Sequence, residues 1–243
     1  MCQLCEENRS RFSRRHLLGS SLALAGMVAA TGLPSAPAFA QAAAGAPNAI
    51  APDAALSRIL EGNARYAANT ARNKDFSAGR AARVQAQYPV AAIVSCADAR
   101  VAPELVFDQG PGELFVVRVA GNFVNDDGLA SLEYGVKFLG VPLIVVLGHS
   151  GCGAVAATIR VIQEGTTLPG HLPDLVNALK PGIEAAIKKK PQNLVLEATN
   201  ENVRHNVQLL QAAGPIIKDL VSAGKVKVVG GYYDIATGKV SLV

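Results

Sequence analysis

Two short motifs place cysteine and histidine side chains at spacings that suit a metal ion. Cys96 is followed by Asp98 and Arg100, and His149 is followed by Cys152. Two thiolates and an imidazole form a ligand set that favours Zn2+, and three protein ligands leave a fourth tetrahedral position for water. An open position is typical of catalytic zinc sites. The two motifs together therefore predict one catalytic zinc ion per subunit.

Both motifs follow apolar runs that predict strands buried on both faces. The run 90–94 leads into Cys96, the run 143–147 leads into His149, and a third run covers 114–119. Between the runs 114–119 and 143–147, apolar residues recur at helical spacing. Strands that alternate with helices predict an α/β fold with a mostly parallel central β-sheet flanked by helices. Because ligands bind at the carboxyl edge of such sheets, we expect both motifs to meet there.

The segments on either side of the predicted sheet indicate a single domain. Residues 41–52, rich in alanine and containing two prolines, predict a flexible linker. A helical arm with Asp53 as its N-cap follows, and such an arm is expected to pack on a neighbouring subunit. The runs 226–233 and 240–243 predict a C-terminal antiparallel hairpin. We therefore expect a single domain over residues 53–243.

The first 40 residues have the three parts of an export signal. A basic stretch that includes Arg14 and Arg15 precedes an apolar stretch from 17 to about 33, and a small-residue cleavage site ends at Ala40. The segment SRRHLL resembles a twin-arginine signal, whose pathway carries folded proteins. Glycine, serine, proline and threonine dilute the apolar stretch, which is short for a membrane span. We therefore expect cleavage after Ala40, no stable membrane anchoring afterwards, and a periplasmic or secreted protein.

Export also affects how the four cysteines are interpreted. Cys2 and Cys5 lie in the leader, so the mature chain keeps only Cys96 and Cys152. These two could form a disulfide in an oxidising compartment. Thiolates that bind zinc before export would instead be protected from oxidation, which favours the zinc interpretation.

The charge balance gives no support for nucleic-acid binding. The formal net charge is +4, and the leader contributes four arginines and two glutamates, which leaves +2 from residue 41 onward. A nucleic-acid partner requires a marked excess of basic residues on one face. We therefore expect a small-molecule substrate and no nucleic acid.

With further blocks of sequence, the two motifs resemble the paired signature of the β-class carbonic anhydrases. The motifs are Cys96–Arg100 and His149–Gly153, and the resemblance extends from about Asp53 to Val243. It implies reversible, zinc-dependent hydration of carbon dioxide to bicarbonate and a proton. The further blocks, in the order that the family has them, are 60–63, 111–118, 120–122 and 133–135.

Asp98 has two possible roles in this resemblance. Paired with Arg100, it accepts a hydrogen bond from the reactive water and orients it, which is the state that can turn over. Alternatively, Asp98 itself coordinates the zinc ion. A plain salt bridge between Asp98 and Arg100, with no role in catalysis, is the structural alternative.

The resemblance also implies a substrate pocket that is completed across a homodimer, or a larger oligomer. Gln87, Phe115 and Tyr134 match positions that line it, and Gly153 is expected to approach the site by its backbone. Each of the four has a structural alternative, as a turn, core or helix-start residue. Family members regulated by bicarbonate carry a tryptophan three residues before the first cysteine. This chain has Ile93 there and no tryptophan, so we expect that regulation to be absent.

Three other functions remain open at the level of the sequence. The same scaffold carries hydrolases of carbonyl sulfide or carbon disulfide, which direct turnover assays would distinguish. A non-catalytic, zinc-stabilised interaction protein would keep the metal and lack activity. A redox dithiol protein would use Cys96 and Cys152 without metal, although these are too far apart in sequence for a Cys-x-x-Cys pair.

Overall fold

A five-stranded sheet forms the centre of the computed structural model, which describes residues 45–72, 76–77 and 79–243. The strand order is 2-1-3-4-5 in sequence numbering; the first four strands are parallel and the fifth is antiparallel to the fourth. This confirms the predicted α/β fold with a mostly parallel sheet and a C-terminal hairpin. The strands are β1 (Ala91–Ser95), β2 (Leu114–Arg118), β3 (Leu143–His149), β4 (Lys227–Asp234) and β5 (Lys239–Leu242).

Helices cover both faces of the sheet, as expected for parallel strands joined by crossovers. Asparagine caps begin two of them: the Asn125 side chain accepts from the Gly128 N–H, and that of Asn193 from the Leu196 N–H. The helices are α1 (Pro52–Ala67), α2 (Arg80–Gln85), α3 (Pro103–Val106), α4 (Asp126–Phe138), α5 (Gly153–Glu164), α6 (Leu172–Lys188), α7 (Leu194–Ala212) and α8 (Ile216–Ser222).

Continuous apolar sequence makes β1 and β3 the buried centre of the sheet. Every residue of both strands is buried. Side chains alternate between the faces, so Ile93 joins the core cluster beneath α1 and α3, whereas Ala92 and Val94 join the cluster beneath α4, α7 and α8. In β2, Leu114 is buried and the following residues are half-buried or exposed, because β2 lies at the edge of the sheet. The core therefore fixes the strand that precedes each motif.

The segment before the sheet differs from two expectations. Helix α1 has Ala51 as its N-cap, with Pro52 in its first turn, so Asp53 lies inside the helix and does not cap it. Its buried residues Ala55 and Ile59 pack into the core of the same chain, and the contact of this helix with a neighbouring subunit stays a prediction. Asn48 is also buried and donates to two backbone carbonyls, those of Pro89 and Leu139. The flexibility expected for 41–52 is therefore wrong around Asn48.

The predicted signal peptide, its cleavage site after Ala40, and Cys2 and Cys5 lie outside the described residues. Among the residues that are described, no helix combines the length and the apolar character needed to cross a bilayer.

Candidate metal centre

Adjacent parallel strands bring the two motifs together. Ser95 is in register with Leu147, so Cys96 and His149 leave the sheet side by side at its carboxyl edge. The chain then turns through Gly151, whose φ of +67° lies in the left-handed region that favours glycine. This turn places Cys152 at the N-cap of α5. The three predicted ligands therefore converge because of strand register and one tight turn.

The ligand atoms of Cys96, His149 and Cys152 all lie within 4.8 Å of one another, and all three residues are buried. Zinc lies about 2.3 Å from a thiolate sulfur and about 2.0 Å from an imidazole nitrogen, so one ion can bridge such a group. Both cysteines are free thiols, and they do not form the disulfide considered from the sequence. The donor set and its spacing therefore fit a zinc ion.

The imidazole of His149 is prepared to act as a ligand. Its Nδ1 lies 3.0 Å from the carbonyl oxygen of Ser150, so Nδ1–H donates that hydrogen bond. This leaves Nε2 with its lone pair free. Nε2 is buried and has no hydrogen-bond partner, which is costly for a polar atom in a protein interior. A metal ion bound at Nε2 would remove that cost.

The two neighbouring thiols shift each other's pKa in opposite directions. A hydrogen bond from Cys152 is the main cause that lowers the pKa of Cys96 to about 4, against the opposing effect of burial. The bond to Cys96 and burial raise the pKa of Cys152. A second thiolate beside the first therefore requires a cation, and Zn2+ meets this requirement.

Asp98 is held by Arg100 and does not belong to the ligand group. Its Oδ1 accepts from Arg100 Nε at 2.9 Å, and its Oδ2 accepts from Arg100 Nη2 at 2.7 Å. These bonds hold the pKa of Asp98 well below its usual range. Oδ2 nevertheless lies 4.0 Å from His149 Nε2. Of the two arrangements expected for Asp98, this structure has the one paired with Arg100.

Arg118, at the end of the edge strand β2, braces the loop that carries Cys96 and Asp98. Its Nε donates to the Cys96 carbonyl at 3.0 Å, and its Nη2 donates to the Asp98 carbonyl at 2.7 Å. No local motif indicates this role for Arg118, although the residue lies in one of the blocks that carry the family resemblance. Only the fold shows that its guanidinium reaches the loop after β1.

A single chain does not place the other predicted site residues around the ligands. Gln87 precedes β1, and with residues that precede β2 it lines a cavity of about 490 Å3. This cavity lies at the amino ends of the two strands, whereas Cys96 follows the carboxyl end of β1. The rings of Phe115 and Tyr134 lie 6.5 Å apart, on β2 and α4. Gly153 starts α5 directly after Cys152, and no atom lies within 4 Å of where its Cβ would be. The pocket roles of these four residues stay predictions.

Comparison with known proteins agrees with this geometry. The family model described as carbonic anhydrase matches residues 91–240. A carbonic anhydrase from Mycolicibacterium smegmatis is 40% identical over 192 residues, which cover 79% of this chain and 93% of that protein. Among solved structures, the Coccomyxa β-carbonic anhydrase in complex with acetazolamide is 29% identical, with a TM-score of 0.62 over 77% of this chain and 86% of that one. The β-carbonic anhydrase CcaA is 26% identical, with a TM-score of 0.62 over 78% of this chain and 92% of that one.

The family match, together with a mostly parallel sheet and a buried Cys-His-Cys group at its carboxyl edge, identifies the class of enzyme as the carbonic anhydrases. The chain belongs to the β-class carbonic anhydrase family.

Proposed function

We propose that this chain catalyses the reversible hydration of carbon dioxide to bicarbonate with one zinc ion per subunit, held by Cys96, His149 and Cys152. The observation that supports this most directly is the buried, unpartnered Nε2 of His149 beside two buried thiols. When bound, Zn2+ would supply a nucleophile at neutral pH, because it lowers the pKa of a water molecule.

Asp98 orients the attacking water in this proposal. Arg100 keeps the carboxyl group ionised, and an ionised carboxylate can only accept hydrogen bonds. A water molecule near Oδ2 must therefore turn a hydrogen toward Asp98, which leaves an oxygen lone pair directed at the substrate. Arg100 also donates to the Gly151 carbonyl at 3.3 Å, which ties Asp98 to the turn before Cys152.

We further propose that two copies of the chain complete each substrate pocket. Gln87 lies nine residues before Cys96, and a strand rises about 3.3 Å per residue, so one chain keeps the two residues at opposite ends of β1. A two-fold axis beside the outermost strand β2 would make the strands of the two sheets antiparallel. The amino ends of the strands in one copy would then lie beside the carboxyl ends in the other. The half-buried and exposed residues of β2 are consistent with such a contact.

Export by the twin-arginine route is a separate proposal that rests on residues 1–40. Its test is cell fractionation of the source organism, followed by N-terminal sequencing of the exported protein. A mature chain that begins at Gln41 is expected. Retention in the cytoplasm, with Met1 intact, would contradict it. Replacing Arg14 and Arg15 by lysine is expected to reduce export without affecting the folded domain.

Stopped-flow carbon dioxide hydration, with the zinc content measured on the same sample, tests the catalytic proposal. Fast hydration in proportion to bound zinc is expected across about pH 6.5 to 9. A zinc-loaded protein that is inactive with carbon dioxide but cleaves carbonyl sulfide or carbon disulfide would be a hydrolase on the same scaffold. Inactivity toward all three substrates would indicate a zinc-stabilised interaction protein, and active protein without zinc would refute the metal assignment.

A further inference from the structure

Helix α7 buries two asparagine side chains, Asn202 and Asn206, one helical turn apart. A buried amide that forms no hydrogen bonds is costly, so the partners of each deserve a full account. None of these partners lies in the motifs that define the candidate metal centre. Apart from each other, the two side chains have their partners in the segment 121–124, which follows β2.

The bonding pattern fixes the orientation of both amides. The backbone N–H of Val124 can only donate, so its partner at 2.9 Å is the oxygen Oδ1 of Asn206. The nitrogen Nδ2 of Asn206 therefore donates, to the carbonyl of Asn202 at 2.8 Å and to its Oδ1 at 3.2 Å. Consequently the Nδ2 of Asn202 is the atom that reaches the Gly121 carbonyl, at 2.9 Å.

Gly121 connects this pair of amides to a metal ligand. Its N–H donates to the Sγ of Cys96 at 3.3 Å. Its φ is +84°, and a Cβ here would lie 2.8 Å from the side chain of Leu179. The residue is therefore confined between α6 and the asparagine on α7, and its N–H has a fixed direction.

Close packing of two helices brings Asn202 to this position. A Cβ on Gly182 of α6 would lie only 2.6 Å from the Cα of Asn202. The glycine thus lets α7 approach α6 closely enough for the amide to reach Gly121. The path runs from Gly182 through Asn202 and Gly121 to the sulfur of Cys96.

We propose that Asn202, oriented by Asn206, is a positioning residue for Cys96: it holds Gly121 so that its N–H donates to the sulfur. An N–H···S bond stabilises the thiolate and withdraws electron density from the sulfur, so it affects both metal affinity and the metal's electronic environment. This inference rests on the proposed zinc site. It adds a pair of residues whose side chains form no hydrogen bond with the ligand group.

The test compares Asn202→Ala with Asn48→Ala, which removes another buried asparagine that donates to two carbonyls, remote from the metal centre. Zinc affinity is measured by competition with a chromophoric chelator, and the cobalt(II)-substituted proteins supply the sulfur-to-metal charge-transfer band. In Asn202→Ala we expect zinc to bind about 10 to 100-fold more weakly and the band to move to lower energy. Asn48→Ala is expected to keep the wild-type affinity and band energy.

If Asn202→Ala does not fold, Asn206→Ala provides the same comparison. We expect a smaller loss of zinc affinity and a smaller shift of the band in the same direction, because Asn202 is still present and loses only the hydrogen bonds that orient it. An unchanged band energy in the folded variant, or equal losses of zinc affinity in the Asn202 and Asn48 variants, would overturn the proposal. Neither measurement requires turnover. A wild-type protein that binds metal but fails to hydrate carbon dioxide would contradict the proposed function alone.

Discussion

Arg100 donates to both carboxylate oxygens of Asp98, through Nε at 2.9 Å and Nη2 at 2.7 Å. We predict that Asp98→Asn keeps the zinc and lowers hydration about 100-fold or more, because an amide group in place of the carboxylate can no longer serve only as an acceptor. Asp108→Asn is the matched control, since Asp108 pairs with Arg65 at 2.6 Å outside the ligand group. Unchanged hydration by Asp98→Asn at full zinc occupancy would remove Asp98 from the mechanism.

Metal removal gives a second prediction. When Zn2+ binds only the folded protein, the free energy of unfolding rises. The increase grows with the logarithm of the ratio of the zinc concentration to the dissociation constant. Chelation is therefore expected to abolish hydration and lower the Tm, and added zinc should restore both. In Cys152→Ser, which removes one thiolate from the group, added zinc should leave the Tm almost unchanged. Equal stabilisation of both proteins would show that zinc binds elsewhere.

Complementation tests the shared pocket. Gln87→Ala and His149→Ala are each expected to be nearly inactive as pure proteins. After the two are unfolded and refolded together, random pairing gives half mixed dimers, each with one site that joins an intact His149 to an intact Gln87 of the other copy. Activity should recover to about a quarter of the wild-type value per subunit. A site built within one chain predicts no recovery at all.

Gly182→Ala probes the close contact between α6 and α7. The new Cβ would lie 2.6 Å from the Cα of Asn202, and backbone atoms cannot yield as a flexible side chain does. We expect the free energy of unfolding to fall by about 1–3 kcal/mol, measured with urea. Gly153→Ala is the control, because it also adds a methyl group to a helix but meets no atom within 4 Å. Equal stability of the two variants would contradict the tight packing.

Tyr233 is expected to make the free energy of unfolding depend on pH under alkaline conditions. Burial, and its contact with Tyr66 at 3.3 Å, raise the pKa of the Tyr233 phenol above its ordinary value. The unfolded chain therefore ionises first, so this stabilisation is present below about pH 10 and is lost as the pH rises through the higher pKa of the folded state.

Tyr233→Phe removes the titrating group, so its free energy of unfolding should fall less steeply between about pH 9 and 12 than that of the wild type. At neutral pH the variant should be slightly less stable, because the contact with Tyr66 is lost. Tyr88→Phe changes an exposed tyrosine and serves as the control. Parallel curves for the wild type and Tyr233→Phe would exclude this role.

Local sequence patterns were enough to predict the central strands and the meeting of the two motifs. The apolar runs before Cys96 and His149 predicted the two central strands because a strand buried on both faces must be apolar throughout. Parallel strands that end at one edge then required the two motifs to meet, whatever the details of the loops. The helix start at Pro52, rather than a cap at Asp53, shows how weakly a local signal fixes a boundary.

The surroundings of the ligands depend on how the folded elements pack, and no sequence pattern predicted them. Asp98 could pair or coordinate on sequence grounds, and the position of Arg100 in the folded loop selected pairing. Asn202 is more than 100 residues from Cys96 in the chain, and no spacing rule connects them. Its link to Cys96 depends on how closely α7 packs against α6 and on the backbone conformation of Gly121. Packing distances of this kind arise from the whole core, so a linear pattern does not contain them.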